Sequence, residues 1–241
     1  MLPLKDLNPT RRIPVITYAL IVINVLVFIW EQTIPLNELE GIFMRLSVVP
    51  TFAIQDPLSL DTFLDFIRSM FFHGGWAHLL GNMLYLWLFG DNLEDRMGVV
   101  LYLFLYFLGG LVASFAQIIV NPNSLVPMIG ASGAIAGVLG GYLILFPGVR
   151  VRGIIPLGFF VRAAEWPAWA VLGLWFVIQL FNGVVALGVQ TGATGGIAFF
   201  AHIGGFITGL VLTWIFMKLV PQPPVEDRQE VLYERAQRYR F

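Results

Sequence analysis

Residues 97–149 read MGVVLYLFLYFLGGLVASFAQIIVNPNSLVPMIGASGAIAGVLGGYLILFPGV, a run of 53 between Arg96 and Arg150 without one Asp, Glu, Lys or Arg. A helix crossing the hydrocarbon core of a bilayer needs about 20 apolar residues, so this run holds two such helices and must fold back once. Its one cluster of breakers, Asn121-Pro122-Asn123-Ser124 with Pro127 close behind, marks the place. Three more charge-free runs exist, 13–30, 69–90 and 166–217, and the four together contain 145 of the 241 residues. The last of them also folds back, across Gly188–Gly196. The whole chain is 58% hydrophobic and only 12% charged. Soluble domains carry roughly 25% charged residues. A soluble enzyme and a nucleic-acid binder are both excluded, and the net charge of −1 offers no pull on polyanions.

The pattern predicts an all-α membrane protein with six spans, near 13–31, 72–92, 99–120, 130–147, 166–187 and 196–219. A short segment, 1–12, precedes the six-helix core of 13–219, and a charged tail, 220–241, follows with a helix expected from Glu226. A long connection, 32–68, joins the first two spans. Lys and Arg fix the orientation: Lys5, Arg11, Arg12, Arg96, Arg150, Arg152, Arg162, Lys218, Arg228, Arg235, Arg238 and Arg240 fall on one side. Only Arg45 and Arg68 fall on the other. Cytoplasmic loops carry the Lys/Arg excess, so both termini are expected in the cytoplasm and the 32–68 loop, with Glu31 at its edge, outside. With no leader or organellar presequence read at the N-terminus, the expected host is a prokaryotic plasma (inner) membrane.

Against this apolar background a few polar residues stand out. Spans two, four and six run in the same direction, and each carries an unusual group near its outer end: His78 and Asn82, Ser132, and His202. At 1.5 Å per residue these lie within about two turns of the outer surface. His78 and Asn82, four apart, share a helix face. Polar groups at such depth are costly and face the bundle interior or a water-filled cavity. Together they have the parts for nucleophilic acyl transfer. A serine hydroxyl becomes a nucleophile when a base takes its proton, and the oxyanion that forms needs donors fixed beforehand. Ser132 and His202 fit the first requirement, His78 and Asn82 the second. Zero cysteines remove any thiolate nucleophile or thiolate metal site. No cofactor and no metal are expected.

Serine in a membrane helix more often joins helices than performs chemistry. Asn24, Ser114, Gln117, Gln179 and Asn182 are read in that way, and His73 as interfacial. Ser132 differs because it lies in Gly130-Ala131-Ser132-Gly133. Gly133, Gly137 and Gly141 recur every fourth residue in span four, as do Ala201, Gly205 and Gly209 in span six. Small residues at that spacing let helix backbones approach, as a Ser132–His202 hydrogen bond requires.

Gly130-Ala131-Ser132-Gly133, the Ala201-His202-Ile203-Gly204-Gly205 run reaching Gly209, and His73…His78…Asn82 closely resemble the rhomboid intramembrane serine proteases. The stretch from Gly90 to Gly98, with Glu94 between, is similar to the family's turn after span two. The resemblance extends over Ile13–Leu219. It implies a serine endopeptidase working through a dyad: Ser132 as nucleophile, His202 as base, and His78, Asn82 and the Ser132 backbone N–H as oxyanion donors. It implies transmembrane protein substrates with small residues at the cut, a lipid surround, an outer loop partly in the outer leaflet, and span five with the 188–196 loop as a lateral gate. Two departures are visible. Many bacterial members place a tyrosine four residues after the nucleophile, stacked on the histidine, and here that residue is Ala136. The Trp-Arg pair of the first outer loop in some relatives is also absent.

Other classes fit less well. An intramembrane metalloprotease calls for H-E-x-x-H, whereas His73 and His78 are five apart with no glutamate between them. An aspartyl protease needs two aspartates inside spans, and the charge-free runs contain none. A catalytically inactive rhomboid-like client-binding protein would typically lack the serine or the histidine. A transporter would show an ionisable path at the midplane or interrupted helices in matched halves.

Overall fold

The computed structural model describes residues 2–157, 160–188 and 198–219. In chain order the elements are β1 (Leu2–Asp6), α1 (Val15–Glu31), α2 (Leu36–Leu46), α3 (Pro50–Gln55), α4 (Leu60–Arg68), α5 (Trp76–Met97), α6 (Val99–Val120), α7 (Ser132–Leu145), β2 (Arg150–Leu157), β3 (Phe160–Pro167), α8 (Ala168–Gly188) and α9 (Phe199–Leu219). Among the described residues, three helices are long and apolar enough to cross a membrane: Val99–Val120, Ala168–Leu187 and Phe199–Leu219. α1 and α7 are apolar but only 17 and 14 residues long. α5 gathers Asp91, Glu94, Asp95 and Arg96 into its last turns. The expected tail helix lies outside the described residues.

The expectation of an all-α chain needs one correction. β1, β2 and β3 form an antiparallel sheet in that order, with Lys5 opposite Arg152 and Arg152 opposite Glu165. The signal was present as the period-two alternation Arg150-Val151-Arg152, with β-branched Ile154 and Ile155 beyond it. Reading those arginines only as topology markers concealed it. The long connection 32–68 is likewise structured, as α2, α3 and α4, with Pro50 opening α3 and Ser59 Oγ accepting from Thr62 N–H to cap α4.

Two acidic side chains tie the start of α1 to the end of α5. Glu94 accepts from Ile16 N–H, Thr17 N–H and Thr17 Oγ1 at 2.9, 2.7 and 2.8 Å. Those N–H groups have no partner within their own helix, and a carboxylate there also complements the helix dipole. Asp95 accepts from the N–H groups of Arg11 and Arg12. The chain then reverses at Gly98, whose φ of +76° suits a residue without a Cβ. Asp6 of β1 accepts from Asn92 Nδ2 at 2.7 Å and Tyr142 OH at 3.0 Å. Burial pushes the Asp6 carboxyl up to about 7, with the Asp91 charge adding to the effect and the Tyr142 hydrogen bond opposing it.

α7 is the axis of the molecule. It is buried from Gly133 to Tyr142 on every side, as an apolar helix without a polar face must be. α9 crosses it at backbone contact. A Cβ on Gly205 would strike the carbonyl of Gly133, one on Gly209 that of Gly137, and one on Gly140 that of Phe206. The small-residue spacing read from the sequence thus pairs these two helices. Tyr102, Tyr106, Phe28, Phe89 and Leu86 fill the space around them. The outward faces of α6, α8 and α9 present Phe104, Phe115, Phe181, Val184, Val211 and Trp214, a surface suited to lipid rather than water.

Candidate active site

Ser132 is the first residue of α7, and His202 lies in the first turn of α9. The α7–α9 glycine contacts bring His202 Nε2 to 2.8 Å from Ser132 Oγ, the geometry in which a ring nitrogen can take the hydroxyl proton. Both side chains are half-buried. Because the first N–H groups of a helix have no acceptor within it, the Ser132 N–H lies in a turn of donors free of intrahelical bonds.

Gly130 shapes the approach to that serine. Its φ of +122° is strained for any residue with a side chain, and its N–H donates to Ser69 O at 2.8 Å. A Cβ there would lie 2.6 Å from His78 Nε2 and 3.7 Å from Asn82 Nδ2. His78 and Asn82 of α5 therefore abut the backbone two residues before Ser132, whose hydroxyl meets His202 of α9. Gly74 N–H points at His78 Nδ1 at 3.4 Å, which leaves the Nε2 proton on the Gly130 side.

His73, just before α5, is buried inside the protein and only 1% exposed. Its Nδ1 lies 3.1 Å from Phe71 O, and a carbonyl can only accept, so the ring proton is on Nδ1. Nε2 then accepts from Asn82 Nδ2 at 3.0 Å, fixing which way the buried amide faces. Glu31, at the end of α1 and the edge of the 32–68 connection, is 1% exposed and accepts from His73 N–H at 3.1 Å. The i, i+5, i+9 spacing of His73, His78 and Asn82 carried this arrangement, but the link to Glu31 had no local signal.

The residues read as interhelical contacts divide. Asn24 Nδ2 and Ser114 Oγ bond back to carbonyls of their own helices, Leu20 O and Gly110 O. The two glutamines do reach across. Gln117 Oε1 accepts from Phe200 N–H at 3.1 Å and caps α9. Gln179 Oε1 lies 2.9 Å from His202 Nδ1. The aromatic neighbour of His202, left open by Ala136, is Trp175 of α8, with ring centroids 5.9 Å apart and planes inclined 38°. The expected capping loop, beyond Gly188, lies outside the described residues.

A family model described as the Rhomboid domain matches residues 61–219. The chain is similar to "Rhomboid protein 1, mitochondrial" of Saccharomyces cerevisiae, 27% identical over 85% of this chain and 54% of that protein. It is 32% identical to "Rhomboid-like protease 5" of Toxoplasma gondii, over 64% of this chain and 16% of that one. It is also 31% identical to "Rhomboid-related protein 1" of Caenorhabditis elegans, over 67% of this chain and 42% of that one. The matched stretch is about half or less of each relative's own length. These relatives are eukaryotic, and a chloroplastic protein of Arabidopsis thaliana also matches. They support a membrane protein and give no support to the expectation of a prokaryotic host. A matched domain covering most of the core, with Ser132 and His202 in contact inside it, leads to one assignment: this chain belongs to the rhomboid family.

Proposed function

We propose that the protein is an intramembrane serine endopeptidase that cuts transmembrane or membrane-adjacent segments of single-span proteins near the outer leaflet. The 2.8 Å contact between His202 Nε2 and Ser132 Oγ carries this reading. As Oγ attacks the scissile carbonyl carbon, its proton passes to Nε2. The carbonyl oxygen, now negative, is met by the Ser132 N–H, the His78 Nε2–H and the Asn82 amide. His202 then returns the proton to the leaving amine, and water releases the acyl group by the same steps reversed. Because Ser132 and His202 are half-buried, these donors act in a lower effective dielectric than water, which strengthens them. A substrate helix must unwind to expose its carbonyl, since an intact helix holds it in its own hydrogen bond.

The same reading places six spans in 13–219, both termini on the cytoplasmic side, and α8 beside the path by which substrate enters from lipid. The test is covalent labelling of the purified protein with a fluorophosphonate probe. Wild type should label, while Ser132→Ala and His202→Ala should not. Equal labelling of all three would refute the assignment, and no labelling of wild type would favour a client-binding role.

A further inference from the structure

Beyond the dyad, one buried side chain has no role in the mechanism above. Gln179 is 9% exposed, and its Oε1 lies on the far side of the His202 ring from Ser132. An imidazole that receives a proton at Nε2 must already carry its own on Nδ1, and that proton needs an acceptor. In Ser-His-Asp sites a buried carboxylate supplies it. Here the charge-free runs 97–149 and 166–217 provide no carboxylate from α7, α8 or the catalytic end of α9. The acceptor that α8 offers is a neutral amide oxygen. Trp175, one turn earlier on the same helix, lies along the ring and limits its tilt.

We propose that Gln179 is a positioning residue that fixes His202 as the Nδ1-protonated tautomer, so that Nε2 is always the basic atom facing Ser132. The proposal rests on the serine-hydrolase reading and adds to it a third, uncharged member supplied by α8. It makes the orientation of α8 and the competence of the base a single variable, because Gln179 and Trp175 move together. Gln179 Oε1 meets the ring nitrogen opposite the reacting one, so its loss should slow the chemical step and leave probe binding alone.

The experiment compares wild type, Gln179→Leu and Gln179→Glu in detergent, across a concentration series of a fluorophosphonate probe. Histidine labelled with ¹⁵N reports the tautomer directly by NMR, with only His73, His78 and His202 to resolve. Gln179→Leu should lower the maximal labelling rate about 10- to 100-fold, less than the about 10⁴ lost when a triad histidine takes the wrong tautomer. Its half-saturating probe concentration should stay within about twofold, and Gln179→Glu, which keeps an acceptor, should recover most of the rate. The wild-type spectrum should place the His202 proton on Nδ1, and Gln179→Leu should show a mixture. Wild-type labelling by Gln179→Leu, a change in half-saturation alone, or a wild-type proton on Nε2 would each overturn the proposal. If Gln179→Leu does not fold, the wild-type tautomer and the Gln179→Glu rate decide. A wild type that fails to label while its His202 proton sits on Nδ1 would refute the protease reading and leave the Gln179 contact standing.

Discussion

Replacing Gly205 by alanine tests whether the glycine contact between α7 and α9 sets the distance on which the chemistry depends. A Cβ on Gly205 would lie 3.1 Å from the carbonyl carbon of Gly133 and 3.3 Å from Ala136 Cβ, and closer still to the Gly133 oxygen. Carbon atoms in contact prefer about 3.5–4.0 Å and a carbon against an oxygen only slightly less, so the Gly133 oxygen sets the demand and the helices must part by roughly one ångström. The obstacle is backbone, which cannot turn aside as a flexible side chain would. Gly205 is three residues from His202 on the same face, and Gly133 follows Ser132, so the separation passes directly to the dyad. The 2.8 Å Nε2–Oγ contact would lengthen beyond the usual limit for a hydroxyl hydrogen bond. A misplacement of that size can cost about 10²-fold in rate, and overpacking of this kind about 1–3 kcal/mol in stability. The assay is the rate of fluorophosphonate labelling, with thermal melting of the same detergent sample. Gly173→Ala, where a Cβ meets nothing within 4 Å, is the matched control and should leave labelling unchanged. Labelling of Gly205→Ala at the wild-type rate would refute the claim that close helix approach sets the dyad.

Asn82→Ala should slow substrate turnover by about 10²–10³, the cost of one oxyanion donor, with His78 offsetting part of it. Because Asn82 also donates to His73, the melting temperature should fall slightly as well; unchanged turnover would remove Asn82 from the site. Asp6→Asn tests a titration far from the cleft. The Asp6 pKa rises from 3.8 to about 7 in the fold, so between those values the folded protein holds a proton that the unfolded chain has released. This contribution to stability is complete at the acid end and is lost as pH climbs through about 7. Melting temperatures measured across that range should fall with pH in wild type and fall less in Asp6→Asn; parallel profiles would refute the burial of that carboxyl.

The helical bundle could be read from the sequence because lipid imposes one rule on every spanning segment, and charge-free length reports it. Ser132, His202, His78 and Asn82 were visible for the related reason that each is expensive among apolar neighbours. Gln179 and Gln117 were equally polar yet indistinguishable from residues that merely join helices, since their distinction is a partner 23 or 83 residues away. The burial of Glu31 was hidden because it ends a helix and is followed by a polar loop, and nothing nearby announces His73. The small sheet was obscured by reading arginines for their sign alone, when the alternation of Arg150, Val151 and Arg152 also states a period. Trp175 could not be found by looking where the family keeps its tyrosine, because the ring that neighbours His202 comes from another helix.

The pairing of β1 with β2 joins Leu2 to Ile154, which imposes an order on biosynthesis. At about 5–20 residues per second, some 8 to 30 seconds separate translation of the first strand from that of its partner. Throughout that interval α1, α5, α6 and α7 are emerging while Leu2–Asp6 has an open edge. Closing so large a loop costs little more entropy than closing one half its size, so the delay is one of timing rather than of stability. The sheet, together with the Asp6–Tyr142 bond across 136 residues, is therefore a late seam, sewn once the middle of the chain has been made.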